Sequence, residues 1–205
     1  PDTALEHYCV GASQVGDCVV KIATSGTVNI FSNRPNPNPN FFTYSHVLDG
    51  VWFNSTGTNS AAHSLRWYRD IHFGYEMSLE KSGGADTYAI MDEEAASVPP
   101  GADGLIFSPY LSGERSPYWD SKLRGSFIGA TALHTRGHFN RAVMEGVALS
   151  IKDNFRLMEE VADIGSIKLV GGGAKSPFWR SVFADVLNRP IVKMQRVDSS
   201  YGSAM

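Results

Sequence analysis

Lys168-Leu169-Val170-Gly171-Gly172-Gly173-Ala174-Lys175-Ser176-Pro177 is a short apolar run that empties into three glycines and then into a helix start. Ser176 is a strong N-cap residue and Pro177 a favoured first helical residue, so the helix start is specified locally. Glycines between a buried strand and a helix leave bare backbone N–H groups beside the positive end of the helix dipole, which suits a nucleotide or a phosphate. The same glycines would also serve a tight turn that lets strand and helix pack, and these residues alone leave both readings open. The P-loop pattern G-x-x-x-x-G-K-S/T is absent, and G-x-G-x-x-G fails because Ser176 stands at its last position.

Outward from this stretch, residues 177–187 predict a helix and 191–194 a strand, which with 167–170 make a β-α-β unit. Upstream, Phe139, Val143, Val147, Ile151, Phe155 and Met158 recur at spacings of three and four and predict one long helix over 138–162. Its other face carries Arg141, Lys152, Asp153, Arg156 and Glu160. Residues 59–73 predict a further helix with Ala62, Leu65, Trp67, Tyr68 and Ile71 on and beside one face, and 75–82 and 87–97 two weaker ones. Pro99-Pro100-Gly101 breaks the chain, 105–107 reads as a short buried strand, 108–123 as a loop, and 125–129 as a strand opening or bulge. At the other end, a helix over 3–10 closes at Gly11, and strands at 18–23 and 27–31 flank Thr24-Ser25-Gly26. Three prolines make 33–40 a stiff extended link, followed by strands at 41–46 and 51–54 around an Asp49-Gly50 turn. The order is a β-meander, then helices, then a β-α-β unit, which suits an α/β domain.

The chain has 205 residues, 42% hydrophobic and 19% charged, with a net charge of -3, so disorder and multi-span membrane proteins fit poorly. That charge leaves no general basic surface for nucleic acid. No window reaches a membrane span and no leader pattern opens the chain, which together with two cysteines, Cys9 and Cys18, predicts a cytoplasmic protein without a disulfide. His134 and His138 lack a nearby carboxylate, so no zinc helix is expected. Glu114-Arg115 reads as a salt bridge holding the 108–123 loop, and Glu145 as an acid behind the glycine loops. Trp52, Trp67, Trp119 and Trp179 read mostly as core.

Three stretches together resemble the FGGY family of carbohydrate kinases, in particular its xylulokinase-like members, over essentially the whole chain. They are Gly125-Ser126-Phe127-Ile128-Gly129 with His138 to Glu145; Gly171 to Arg180 continuing through Ala184-Asp185 to Asn188-Arg189-Pro190; and Leu111-Ser112-Gly113-Glu114-Arg115-Ser116-Pro117. The resemblance implies an actin/hexokinase/Hsp70-like, ribonuclease H-like ATPase lobe of a two-lobed kinase. It implies ATP-dependent phosphorylation of a sugar, a ketose such as xylulose or a related polyol. Residues 1–12 would be the end of the sugar-binding lobe or the crossover, and 13–205 the C-terminal ATP-binding lobe, cut before its final helices and inactive alone. Thr24, Ser25 and Gly26 resemble a phosphate loop, with Ala23 where the family usually has glycine. Thr131, Gly171, Gly172, Gly173, Ala174 and Ser176 are the other implied nucleotide contacts. Asp2, which stands 22 residues before Thr24 as in the family, would be the general base, whereas taken by itself it reads as a solvated aspartate at a frayed end. Mg²⁺ would be held mainly by the other lobe and the phosphates. A homodimer is compatible with the resemblance. The rival reading is a non-catalytic nucleotide-binding or assembly module with an actin-like lobe.

Overall fold

The computed structural model of the chain describes residues 2–194, apart from the side chains of Asp2 and Lys193; the end of the lobe expected to run to 205 lies outside the described residues. The two apolar runs around Thr24 pair antiparallel as β1 (Cys18–Ile22) and β2 (Gly26–Ser32), and helix α1 (Asp2–Cys9) precedes them. Strand β4 (Trp52–Thr58) pairs with β2 along its whole length, and β3 (Phe42–Ser45) lies outside β4 at the sheet edge. The expected meander is therefore modified: β1, β2 and β4 are successive neighbours, while β3 doubles back beyond them. β4 also runs four residues past the expected end at Asn54, through the polar stretch Ser55-Thr56-Gly57-Thr58.

Helices α2 (Ala62–His72), α3 (Gly74–Lys81) and α4 (Thr87–Ala96) follow, then a small two-stranded sheet of β5 (Ile106–Ser108) and β6 (Ser126–Ile128). The long helix is α5 (Arg136–Glu159), and the last unit is β7 (Ile167–Val170), α6 (Pro177–Leu187) and β8 (Ile191–Lys193). At the start of α5, the Thr135 N–H donates to His138 Nδ1 at 3.1 Å, so this histidine caps a helix. The main sheet has the order β3-β4-β2-β1-β7-β8, with β1, β7 and β8 parallel.

The larger core lies between this sheet and the helices α2, α4, α5 and α6, where Ile22, Ile30, Val147, Ile151, Phe155 and Trp179 are fully buried. A smaller cluster, Ala4, Val10, Val19, Phe31, Phe53 and Val170, joins α1 to the opposite face. Coverage on both faces explains why successive residues such as Val19 and Val20 of β1, and Ile30 and Phe31 of β2, are all buried. Three helix-face expectations are corrected. Ile71 is 56% exposed, because the buried face of α2 is Ser64, Leu65 and Tyr68. Arg141 belongs to the buried side of α5, its guanidinium donating to the Ala95 and Val98 carbonyls and to Glu145. Glu145, expected behind the glycine loops, accepts instead from the Gly101 N–H and from Arg141. Of the tryptophans, Trp179 is core, but Trp119 is 47% exposed.

The parallel pairing of β1 with β7 sets Lys21 opposite Val170. The Thr24 turn and the Gly171 loop therefore emerge side by side at the carboxyl ends of adjacent strands, where open α/β sheets bind ligands.

Candidate functional site

The turn is held by its carbonyl groups. The Ala23 carbonyl accepts from the Ala62 N–H at 2.8 Å, and the Thr24 carbonyl from the N–H groups of Ala61 and His63 at 3.0 and 3.2 Å. The first donors of α2 are thereby satisfied by the turn itself. The N–H groups and hydroxyls of Thr24 and Ser25 have no hydrogen-bond partner among the described residues and stand as available donors. Gly26 is required for packing: a Cβ there would stand 2.7 Å from Ile151 Cδ1 on α5.

In the neighbouring loop, the three glycines differ. Gly171 has a φ of +92°, and a Cβ would stand 2.6 Å from the Ile22 carbonyl oxygen; at Gly173 it would meet Ile22 Cγ2 at 2.4 Å and the Trp179 ring at 2.9 Å. Both therefore serve close packing. Gly172 has open space there, and it opens on a cleft of 510 Å³. Ser176 caps α6, accepting from the Trp179 N–H at 2.8 Å while its hydroxyl donates to Asp92 Oδ2 at 2.6 Å. Burial raises the Asp92 carboxyl above its ordinary range, and the Ser176 hydroxyl opposes that shift. Thr24, Gly172, Gly173 and Ser176 all line the cleft; its other walls are α2, with His63 and Arg66, and α4, with Tyr88 and Asp92. The Arg69 guanidinium lies 4.8 Å over the Tyr88 ring, so this wall presents an aromatic face held by a cation.

A second cavity, of 420 Å³, lies on the α1 side of the sheet and is lined by Thr3, Lys21, Ala23, Ser25, Thr27 and Asn29 among others. Lys21 Nζ is 2.7 Å from Glu6 of α1. Consecutive residues of one turn thus face different spaces, Thr24 the cleft and Ser25 the second cavity. Ala23 lines the second cavity, so its methyl group does not narrow the cleft. Asp2 is the first residue of α1, next to Thr3 of that cavity, and its side chain lies outside the described residues.

Of the residues expected from the sequence, Gly171, Ala174 and Gly26 do not line the cleft. Thr131 lies in the turn between β6 and α5, its N–H donating to His134 Nδ1 at 3.0 Å, and lines neither cavity. The wall residues Arg66, Tyr88 and Asp92 carried no sequence signal, since each is a single polar or aromatic residue on an ordinary helix. Among the described residues no three His, Cys, Asp or Glu side chains come together as a metal-holding group, and no helix is long and apolar enough to cross a membrane.

Residues 18–205 match the FGGY family of carbohydrate kinases, C-terminal domain. The chain is 34% identical over 202 residues to a gluconokinase of Bacillus licheniformis, covering 97% of this chain and 39% of that protein. It is 35% identical over 201 residues to a xylulose kinase of Staphylococcus epidermidis, covering 96% and 38%. A crystal structure of xylulose kinase from Rhodospirillum rubrum superposes with a TM-score of 0.83 at 27% identity, over 98% of this chain and 39% of that one. Gluconate kinase from Lactobacillus acidophilus gives 0.83 at 29% identity, over 98% and 39%. The chain thus spans about two fifths of the length of these relatives.

Proposed function

Because the chain belongs to the FGGY family of carbohydrate kinases, as its C-terminal domain, we propose that it is the ATP-binding half of a kinase phosphorylating a sugar, a ketose such as xylulose or a related polyol. The observation that carries this reading is the turn shared by two cavities, with Thr24 in the cleft and Ser25 in the space beside α1. Adenosine would lie against Gly172 and Ser176, whose backbone leaves room for it, and the phosphates toward the unengaged N–H groups of Thr24 and Ser25. The acceptor hydroxyl would approach from the second cavity. Its oxygen forms the bond to the γ-phosphorus as the bond to the oxygen of ADP breaks, and its proton passes to Asp2 at the start of α1. The Mg²⁺ that accompanies ATP would be held mainly by the phosphates and by the other lobe. Residues 1–12 would be the junction to the sugar-binding lobe.

The test is calorimetric titration of ATP together with a phosphorylation assay of the intact protein against ketoses, polyols and gluconate, the last because gluconokinases are among the relatives. Saturable ATP binding and phosphorylation of one acceptor class are expected. Binding without turnover on any acceptor would favour a non-catalytic nucleotide-binding module, and absence of binding would sink both readings.

A further inference from the structure

Glu114 and Arg115 stand in the 108–123 loop and do not form the salt bridge expected of them. The Glu114 carboxylate, 4% exposed, accepts from the Thr58 hydroxyl, from the Asn59 N–H at 2.9 Å and from the Arg115 N–H at 2.6 Å. Those donors pin the loop to the last residue of β4. The side chain of Arg115 then lies back across the strand, its Nη2 3.4 Å from the Thr58 carbonyl. Gly57 makes room for it: a Cβ there would stand 3.0 Å from Arg115 Nη2 and 2.6 Å from the Gly26 carbonyl. Gly57 pairs with Thr27, and Thr27 and Ser55 both face the second cavity. By strand alternation the guanidinium is on that same side, at the exit of the Thr24-Ser25-Gly26 turn.

The guanidinium lacks an anion. Among the described residues no carboxylate lies within ion-pair distance of it, and Nε is buried without a hydrogen-bond partner. A guanidinium offers five donors in a fork suited to carboxylate or phosphate oxygens, and a partly buried one is ordinarily matched by such a group. Lys21 and Lys168, the strand cations on this face, are already neutralised by Glu6 and Asp17.

We propose that Arg115 binds the γ-phosphoryl group of ATP and holds it while it passes from ADP to the acceptor oxygen. This rests on the kinase reading above. Charge spreads over the three equatorial oxygens of the phosphoryl group in the transition state, and a planar fork beside the turn would bind two of them. The base of the acceptor hydroxyl remains Asp2, so Arg115 moves no proton.

The experiment is calorimetric titration of the intact protein with ATP and, separately, with ADP, for the wild type, Arg115→Ala, Arg115→Gln and Arg115→Lys. Loss of a charge-assisted pair predicts about 10- to 100-fold weaker ATP binding in the Ala and Gln variants, with ADP within about twofold of wild type and the Lys variant between. Turnover should fall by about 10²-fold or more in Arg115→Ala and recover in part with added ethylguanidinium. If the wild type binds both nucleotides and the variants keep its ATP-to-ADP affinity ratio, or lose both together, Arg115 only ties the loop to β4 and the proposal is overturned while the kinase reading stands. If the wild type binds neither nucleotide, the kinase reading falls and this assignment with it.

Discussion

At the scale of single residues, the three consecutive glycines separate into two jobs. Gly173 is filled in by Ile22 and Trp179, whereas Gly172 has nothing within 4 Å of where a Cβ would stand and faces the cleft. Gly172→Val should therefore leave the melting temperature within about 2 °C of wild type and weaken ATP binding at least about tenfold, because the branched group occupies ligand space. Gly173→Ala should do the reverse and lower the melting temperature by several degrees, since overpacking costs about 1–3 kcal/mol. Calorimetric titration and thermal melting of both variants check this; matching profiles would mean that the glycines share one role. Asp2→Asn should leave ATP affinity nearly unchanged and lower kcat by about 10²- to 10⁴-fold, because a base acts on the chemical step. A variant keeping more than about a third of wild-type kcat would return Asp2 to the solvated ends. The glycine run was legible in the sequence as a strand-to-helix loop, but its division of labour was not. Ile22 lies about 150 positions away, and only the parallel pairing of β1 with β7 brings it underneath.

At the scale of elements, α1 docks on the sheet through small apolar residues and one buried histidine. The His7 ring lies edge-on to Phe31 and Phe53, at centroid distances of 5.1 and 4.8 Å, with the His46 ring 6.5 Å away. Burial first, then His46 and Lys21, lowers the His7 pKa to about 3, and burial lowers that of His46 as well. The folded state therefore holds His7 neutral, and the unfolded chain takes up the proton first as pH falls below about 6.5. Stability from this docking is complete above that pH and declines toward pH 3; at pH 5 the loss from His7 approaches about 2 kcal/mol. Chemical denaturation at pH 7 and pH 5 should show that loss, and His7→Leu should reduce it; an unchanged pH dependence would remove His7 as its source. Elements with a strong period or an apolar run, β1, β2, α5 and α6, were legible in the sequence. The second half of β4 was not, because Ser55 to Thr58 carry no hydrophobic pattern and owe their strand to pairing with β2. Nor was the inward side of Arg141, whose charge reads as solvated until the carbonyls of Ala95 and Val98 are seen to receive it.

At the scale of the whole molecule, α5 joins the main sheet, the β5–β6 hairpin, α4 and α6 into one core. It crosses β5 at Gly146, where a Cβ would stand 2.1 Å from the Phe107 carbonyl oxygen. Two effects compete in Gly146→Ala. Alanine favours the helix by about 1 kcal/mol over glycine. Against this, the added methyl must push a backbone carbonyl aside, and because β5 is held to β6 on its other side the strand cannot yield without moving the hairpin. Overpacking of this kind costs about 1–3 kcal/mol and rises when backbone must shift, so the steric effect wins. The expected net destabilisation of about 1–2 kcal/mol corresponds to a melting temperature lower by about 2–8 °C in a domain of this size. The hairpin and the sheet share this one helix, so far-ultraviolet and aromatic circular dichroism should still report a single transition, with Trp67 stacked 6.0 Å from Phe107 as the local reporter. A melting temperature equal to or above wild type would show that helix propensity outweighs the crossing. Two separate transitions would show that the hairpin is not bound into the common core through α5.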